Sequence, residues 1–276
     1  MSFNYETYLR DEHLPHIWCW GCGIGTLMKS IIKAIDKLNI SKDSIAMVSG
    51  IGCVSRMPGY VDFNTLHVTH GRALSYATGI KLANPKLNVL VVAGDGDAAS
   101  IGGNHLIHAA RRNIRIVMIV YNNFIYGLTG GQLSPTSPTG TFTTTSPYGN
   151  IEPPFDLCKL AEGAGATFVA RTTVYHTAQM EDYVRRAIEH KGFSFIDVLG
   201  HCHVNYGRRN NRADPFDNLE WFKKNTFPYE ALKKLPPEKA GAAAKGKILT
   251  GIFKKEENEE YTERFWALID KVRKAN

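Results

Sequence analysis

Acidic and amide side chains follow two apolar runs near the middle of the chain. Asp95 and Asp97 lie in Gly-Asp-Gly-Asp directly after the run 88–93, and Asn122-Asn123 directly follows the run 115–121. Each segment alone is more typical of an ordinary turn. Together, at the ends of two predicted parallel strands and 28 residues apart from Asp95 to Asn123, they favour a ligand site at one edge of a sheet.

The residue types at these strand ends suit a divalent cation bound together with a phosphate group. Mg²⁺ takes oxygen ligands and usually keeps phosphate oxygens from a substrate or cofactor among them. An Asp carboxylate, an Asn carbonyl and a nearby backbone carbonyl would provide such ligands. The glycines on both sides of Asp95 allow the backbone to approach a diphosphate closely.

The chain has five cysteines, too few and too odd in number for a disulfide scaffold. Cys19 and Cys22 are separated by two residues, so both thiolates can reach one metal centre, although this spacing also fits a redox dithiol or half of a zinc site. Cys53 and Cys202 each follow a predicted strand, and four thiolates can hold a 4Fe–4S cluster. Cys158 lies in a helix-like stretch and is interpreted as a buried structural thiol.

Strands that alternate with amphipathic helices must position these groups. Strands are predicted at 45–49, 65–69, 88–94, 115–121, 166–170 and 194–199, and helices at 25–38, 72–82 and 177–189. This alternation predicts an α/β fold, with a parallel sheet covered by helices on both faces. The Gly-, Ser-, Thr- and Pro-rich segment 127–154 is too long for an idle connection, which indicates a functional loop.

The chain divides into a catalytic-type domain, 1–206, and an extended C-terminal tail, 207–276. Within the tail, 236–247 is interpreted as linker and 258–274 as a last amphipathic helix. The tail has 16 of the 33 Lys and Arg residues and 11 of the 26 Asp and Glu residues, so it carries most of the net charge of +7. We expect it to pack on the core or on a partner.

Composition excludes several classes of protein. With 43% hydrophobic and 21% charged residues the chain is not intrinsically disordered. No apolar run reaches the roughly 18 residues of a membrane span, and the first 25 residues lack the order of a signal peptide, which predicts a cytoplasmic protein without a membrane role. A basic excess without a base-reading motif makes an acidic protein partner a better expectation than nucleic acid.

Three segments resemble a known family. Gly-Asp-Gly followed some 26 residues later by Asn-Asn resembles the cofactor motif of thiamine diphosphate enzymes. The segments HGRALSYATGIKLANP (70–85), GDGDAASIGGNHLIHAARRN (94–113) and YNNFIYGLTGGQLSPT (121–136) resemble the β subunit of 2-oxoacid:ferredoxin oxidoreductases, most closely the 2-oxoglutarate type. The resemblance covers roughly residues 15–206 and implies a thiamine-diphosphate-binding fold.

The resemblance implies roles for the residues above. Asp95, Asn123 and the carbonyl of Ile125 would bind Mg²⁺, and Cys19, Cys22, Cys53 and Cys202 would bind a 4Fe–4S cluster. The diphosphate and thiazolium would lie against Gly52, Cys53, His70, Gly94, Gly96, Asp97, Asn122, Gly127, Leu128 and Thr129.

Two basic residues are candidates for catalysis. Arg56 stands where the family has a residue, usually Lys, that holds the substrate carboxylate. Its planar fork suits a carboxylate. His70 would face the same crevice, for diphosphate contact or proton transfer. The sequence departs from the family at Gly200-His201-Cys202-His203, where Ser-Pro is expected before the cysteine. These histidines could pack, hydrogen-bond to cluster sulfurs or compete as ligands.

The implied reaction is the oxidative decarboxylation of 2-oxoglutarate with coenzyme A to succinyl-CoA, with electrons passing through the cluster to ferredoxin or flavodoxin. Thiamine activation needs a glutamate that the family supplies from an α subunit, so an αβ or α₂β₂ enzyme is expected. Pyruvate or a branched 2-oxoacid is the alternative substrate. A non-oxidative thiamine-dependent decarboxylase and a zinc-stabilised binding module are the alternative functions.

Overall fold

An eight-stranded sheet forms the centre of the computed structural model, which describes residues 3–275. In chain order the strands are β1 (Ile45–Ser49), β2 (Asn64–His67), β3 (Asn88–Gly94), β4 (Val117–Asn122), β5 (Phe168–Thr173), β6 (Ser194–Leu199), β7 (Thr226–Pro228) and β8 (Ile248–Lys255). Their order across the sheet is β2-β1-β3-β4-β6-β5-β8-β7. The first six strands are mutually parallel, whereas β8 runs antiparallel to β5.

Helices cover both faces of this sheet, as the sequence predicts. The helices are α1 (Ile24–Lys37), α2 (Ala73–Ala83), α3 (Gly103–Arg111), α4 (Leu157–Gly163), α5 (Thr177–Glu189), α6 (Pro215–Asn225), α7 (Tyr229–Lys233), α8 (Pro237–Ala244) and α9 (Tyr261–Ala275). α1 and α5 pack on one face, and α2, α3 and α4 pack on the other. Within residues 3–275 no helix has the length and apolar character needed to cross a membrane.

The strands of the sheet centre are buried on both faces because their side chains enter two separate hydrophobic clusters. In β3, Leu90 and Val92 belong to the cluster under α1 and α5, while Val89 and Val91 belong to the opposite cluster. This explains why these strands are nearly continuous apolar runs rather than alternating ones. Three predicted strands, 45–49, 88–94 and 194–199, match the observed bounds.

The chain changes direction across the sheet between β1 and β3. β1 leads to β2 on one side, whereas β3 leads to β4 on the other, so the loops that follow β1 and β3 diverge. Such a divergence opens a crevice at the carboxyl edge of a parallel sheet, where ligands of open α/β proteins bind. The loops 50–53 and 94–97 line this crevice.

The C-terminal segment, described as far as residue 275, adds the strands β7 and β8 to the same sheet. β8 pairs with β5 along Phe168–Arg171, and the Trp266 indole on α9 donates to the Leu82 carbonyl at the end of α2 at 3.0 Å. The interpretation of 236–247 as linker is wrong, because 237–244 form α8. Helix-forming alanines there outweigh the two glycines that mark the stretch as linker.

One buried carboxylate holds α9 to the core, and we expect its removal to destabilise the fold. Glu260 accepts hydrogen bonds from the backbone N–H groups of Thr262 and Glu263 at the start of α9 and from that of Arg115 at 2.8 Å. Glu260→Ala should lower the free energy of unfolding by about 2 kcal/mol, since a cap and a buried acceptor are lost. Urea unfolding measures this. Glu259→Ala, at an exposed neighbour, is the control, and equal losses in both variants would contradict the assignment.

Candidate functional site

The carboxylate of Asp95 lies buried at the end of β3, only 2% exposed. One oxygen, Oδ2, accepts hydrogen bonds from Ser134 Oγ at 2.6 Å and from Thr136 Oγ1 at 2.5 Å. Burial is the larger influence and raises the pKa of Asp95 from 3.8 to about 6, against the lowering effect of the two hydroxyls. The hydroxyls therefore compensate only part of the cost of burying the charge.

The other oxygen of Asp95, Oδ1, faces the side-chain amide of Asn123. The side-chain oxygen of Asn123 lies 3.1 Å from Asp95 Oδ1 and 2.7 Å from the carbonyl oxygen of Ile125. Oxygen ligands at neighbouring corners of octahedral Mg²⁺ are about 3 Å apart, given ligand distances of about 2.1 Å. Without a cation the Asn123 amide has to rotate so that its NH₂ group donates to both oxygens. The Asn123 side chain thus lies within about 3 Å of both other predicted magnesium ligands.

Ser134 and Thr136 are functional residues that sequence reasoning does not identify individually. They belong to the loop 123–156, which leaves β4 and returns to β3 through these two hydroxyls. Inside the loop, Ser137 Oγ donates to the Phe124 carbonyl at 2.6 Å, so the loop is closed on itself. The short Ser-Pro-Thr segment has no periodicity from which its contact with Asp95 could be predicted. Its presence in the most family-specific segment is the available signal.

A second carboxylate, Asp97, binds the loops that follow β1 and β2. Its Oδ1 accepts from Gly71 N–H at 2.7 Å and Ile51 N–H at 3.2 Å, and lies 2.5 Å from His70 Nδ1. Because Oδ1 is the acceptor, the hydrogen of that imidazole–carboxylate bond is on Nδ1. The geometry leaves no room for a side chain at position 50, since a Cβ on Gly50 would lie 2.2 Å from Asp97 Oδ2.

A cavity of about 100 Å³, which we call the carboxylate cavity, contains nearly all the predicted cofactor residues. Its lining includes Gly52, Cys53, His70, Gly94, Asp95, Gly96, Asp97, Asn123, Ile125, Gly127, Leu128 and Thr129. A Cβ on Gly52 or Gly94 would meet no atom within 4 Å, so both backbones are open for close approach by a ligand. Asn122 is not among these residues, because its amide donates to the buried Asp197 at 3.2 Å and stabilises the sheet.

A neighbouring cavity of about 180 Å³, the cysteine cavity, is lined by Cys19, Cys22, Cys53 and Cys202. Cys158 is buried in α4, as predicted, where its thiol contacts the Ala170 carbonyl. Within residues 3–275 no three His, Cys, Asp or Glu side chains converge on a point that a single metal ion could occupy. The four thiols line one cavity.

The two cavities share a wall made of Cys53, Asn123, Gly127 and Leu128. Gly127 lies between the thiols, because a Cβ at this position would stand 3.3 Å from Cys202 Sγ and 3.8 Å from Cys53 Sγ. A ligand in the carboxylate cavity is therefore separated from the cysteine cavity by one layer of residues.

The thiols of the cysteine cavity are strongly affected by burial and by one another. Burial, with a smaller contribution from the neighbouring thiols, raises the pKa of Cys22 to about 11 and that of Cys53 to about 12. Burial also raises the pKa of Cys202. Cys19 is exposed to solvent. Without a metal these buried groups are thiols at neutral pH, and metal binding has to displace their protons.

Arg56 and the two histidines around Cys202 also line the cysteine cavity. Arg56 is exposed and makes no ion pair within residues 3–275. His201 is buried and its Nε2 lies 2.9 Å from the Gly21 carbonyl, while the ring of His203 packs 5.8 Å from that of His201, measured between centroids. His70 and Arg56 thus line different but adjoining cavities.

Comparison with known proteins agrees with this architecture. The family model described as the C-terminal TPP binding domain of thiamine pyrophosphate enzymes matches residues 50–198, slightly more than half of the chain. The fold is therefore that of a thiamine pyrophosphate enzyme domain.

Comparison with individual relatives identifies the family within this class of enzyme domain. The chain is 47% identical over 266 residues to the 2-oxoglutarate synthase subunit KorB of Methanothermobacter marburgensis, covering 96% of this chain and 92% of the relative. It is 47% identical over 276 residues to KorB of Archaeoglobus fulgidus, covering 99% and 97%.

The fold matches a solved 2-oxoglutarate:ferredoxin oxidoreductase from Magnetococcus marinus, with a TM-score of 0.85 and 31% identity over 98% of this chain and 91% of that one. That structure has 2-oxoglutarate, coenzyme A and succinyl-CoA bound. The chain belongs to the β subunits of 2-oxoacid:ferredoxin oxidoreductases, and within them to the 2-oxoglutarate group. It is an oxidoreductase subunit of the kind that works with an α subunit.

The buried charge of Asp95 predicts a stability cost that depends on pH. The folded pKa, about 6, lies above the unfolded value of 3.8, so the folded state loses stability as pH rises through this range. Asp95→Asn should therefore stabilise the chelator-treated protein by roughly 3 kcal/mol at pH 7.5, and most of the gain should disappear near pH 4. Urea unfolding at both pH values measures this. Asp62→Asn, at an exposed carboxylate paired with Lys42, is the control without a gain. Destabilisation of Asp95→Asn at pH 7.5 would contradict the prediction.

Proposed function

We propose that this β subunit binds thiamine diphosphate with Mg²⁺ in the carboxylate cavity and a 4Fe–4S cluster in the cysteine cavity. With its α subunit it would convert 2-oxoglutarate and coenzyme A to succinyl-CoA and CO₂. Two electrons leave in this reaction, one to each of two ferredoxin molecules. The observation that carries the proposal is the shared wall between the two cavities, because it joins a diphosphate-type site directly to four thiols.

Asp95, Asn123 and the Ile125 carbonyl would hold the magnesium ion. The amide position of Asn123 lies 3.1 Å from Asp95 Oδ1 and 2.7 Å from the Ile125 carbonyl oxygen, close to the separation of neighbouring ligands of an octahedral cation. The ion would also remove the electrostatic penalty at Asp95, since a divalent charge favours the ionised carboxylate. Ser134 and Thr136 would keep the second carboxylate oxygen occupied, so that only Oδ1 is directed to the metal.

The open backbones of Gly52 and Gly94 would admit the diphosphate, and His70 would contact it from the β2 side of the crevice. Its Nδ1 is engaged by Asp97, so Nε2 is the nitrogen left for a ligand. Thiamine diphosphate supplies the carbanion chemistry that decarboxylation of a 2-oxoacid requires. The task of this chain is to hold that cofactor against Cys53, Gly127 and Leu128.

Arg56 would bind a carboxylate of the substrate. An exposed guanidinium beside Cys53, at the cavity next to the proposed cofactor site, is well suited to a bidentate contact with an anion. The relatives that are named for 2-oxoglutarate support that substrate over pyruvate or a branched 2-oxoacid. Leu128 lies in both cavity walls and would limit the space for the substrate side chain.

An iron–sulfur cluster held by the four thiols would carry electrons singly to the acceptor. Cys19 is exposed, so one ligand lies at the protein surface, where a ferredoxin or flavodoxin could approach. The positive net charge of the chain suits an acidic carrier of this kind. The α subunit would supply the glutamate that activates the thiamine.

Two other functions explain less of the structure. A non-oxidative decarboxylase would need the carboxylate cavity but would leave the adjoining thiols without a purpose. A zinc-stabilised module would need four ligands around one ion, and within 3–275 the side chains do not converge in this way. The thiols line a cavity of about 180 Å³, which favours a polynuclear cluster.

Replacing one proposed cluster ligand should remove the iron. Cys22→Ala should abolish the iron–sulfur absorbance at about 400 nm and most of the bound iron, because three thiolates hold the cluster poorly. Anaerobic absorbance spectra and iron analysis measure this. Cys158→Ala is the matched control, since that thiol is buried elsewhere, in α4. Iron retention in Cys22→Ala, or zinc in place of iron in the wild type, would contradict the cluster assignment.

The isolated β chain should be inactive and become active when its α subunit is added. We expect 2-oxoglutarate-dependent reduction of a viologen dye only in the reconstituted enzyme with coenzyme A, and faster turnover of 2-oxoglutarate than of pyruvate or a branched 2-oxoacid. Steady-state assays with each substrate measure this. Full activity of the β chain alone would overturn the subunit requirement, and preference for pyruvate would overturn the substrate.

A further inference from the structure

We propose that His201 is a positioning residue for the cysteine cavity, which ties the Cys19–Cys22 turn to the strand end that carries Cys202. The inference deepens the proposed function and rests on the cluster assigned there. His201 comes directly before Cys202 at the end of β6, and only 3% of its surface is exposed. Its side chain reaches a turn that lies 180 residues away in the sequence.

The first part of this connection is a side-chain hydrogen bond. His201 Nε2 lies 2.9 Å from the carbonyl oxygen of Gly21, and because a carbonyl can only accept, Nε2 carries the hydrogen. Gly21 has a φ of +78°, a conformation that favours glycine, and it lies inside the turn closed by the Cys22 N–H to Cys19 carbonyl bond at 3.0 Å. The imidazole therefore fixes the turn that presents two of the four thiols.

The second part is the hydroxyl of Tyr121 at the end of β4. It donates to the His201 carbonyl at 3.1 Å and accepts from the His201 N–H at 3.2 Å, so both backbone groups of His201 are held. Tyr121 and His201, which we call the clasp, thus connect β4, the end of β6 and the cysteine turn.

Two glycines leave space for the clasp. A Cβ on Gly200 would stand 2.1 Å from the Tyr121 ring, and a Cβ on Gly23 would stand 3.0 Å from the Tyr121 hydroxyl. The Gly-His pair in front of Cys202 is where this sequence departs from the Ser-Pro expected of the family. The clasp gives that departure a physical reason, because Gly200 admits the tyrosine and His201 bonds the turn.

His203, on the other side of Cys202, provides an internal comparison. It lines the same cavity and packs against His201, but within residues 3–275 its side chain has no hydrogen bond that connects it to the cysteine turn. If the clasp acts through the Gly21 bond, loss of the His201 imidazole should matter and loss of the His203 imidazole should not.

Pre-positioned thiols should hold a cluster longer than thiols on a mobile turn, since outer hydrogen bonds orient the ligands and hold them in place. The test uses the full chain, reconstituted anaerobically with iron and sulfide and then exposed to an excess of an iron chelator. The decay of the absorbance at about 400 nm gives the rate of cluster loss. The variants are His201→Leu, His201→Gln, Tyr121→Phe and His203→Leu.

We expect His201→Leu and Tyr121→Phe to lose the cluster about tenfold faster than the wild type, because a buried hydrogen bond is removed in each. His201→Gln keeps a hydrogen-bond donor at the position of Nε2 and should lose the cluster at nearly the wild-type rate. His203→Leu should also lose the cluster at the wild-type rate. A variant that combines His201→Leu with Tyr121→Phe should lose the cluster with less acceleration than the product of the two single accelerations, since both residues act on one turn. If His201→Leu does not fold, the rates of His201→Gln, Tyr121→Phe and His203→Leu decide.

Wild-type rates of cluster loss in His201→Leu or Tyr121→Phe, or equal acceleration in His203→Leu, would overturn the clasp while leaving the cluster itself established. A wild-type protein that takes up no iron under these conditions would overturn the proposed cluster, and the clasp with it.

Discussion

The charge of a carboxylate buried at the carboxyl edge of a sheet has to be compensated by hydrogen-bond donors or by a cation. The contacts that the two oxygens of Asp95 make for this purpose determine how the site is arranged. Its Oδ2 is bonded by Ser134 and Thr136, which fasten the long loop 123–156 back onto β3. That attachment determines where the beginning of the loop lies, including Gly127 between the Cys53 and Cys202 thiols. The geometry of the cysteine cavity therefore depends on a carboxylate that belongs to the neighbouring cavity.

The parts of the fold that the sequence predicts well are those that the local pattern of apolar residues determines by itself. β3 is apolar along its length because both of its faces are covered, and the helix 177–189 shows a regular apolar stripe. The residues predicted as cation ligands lie near one another at the ends of β3 and β4, because the carboxyl ends of parallel strands share one edge. The side-by-side position of the two cavities follows from the strand order, which periodicity alone does not reveal.

The remaining features depend on contacts between distant segments. The bond from His201 to Gly21 spans 180 residues, and nothing in either short segment identifies the other. Asn122 and Asn123 are adjacent and chemically identical, yet one bonds Asp197 within the sheet and the other lines both cavities. Their separate roles follow from the alternation of side-chain direction at the end of β4, which becomes visible only when the neighbouring strand is known.

The antiparallel β8 has a consequence for how the chain is made. Its partner β5 is an edge strand until β8 pairs with it, and 74 residues separate Thr173 from Ile248. At typical rates of protein synthesis of 5–20 residues per second, the edge of β5 remains unpaired on the ribosome for about 4 to 15 s until β8 has been made. Unpaired edges template association with other chains, so nascent polypeptides pass through a period in which they are prone to aggregate. Pairing of β8 with β5 ends this period of exposure.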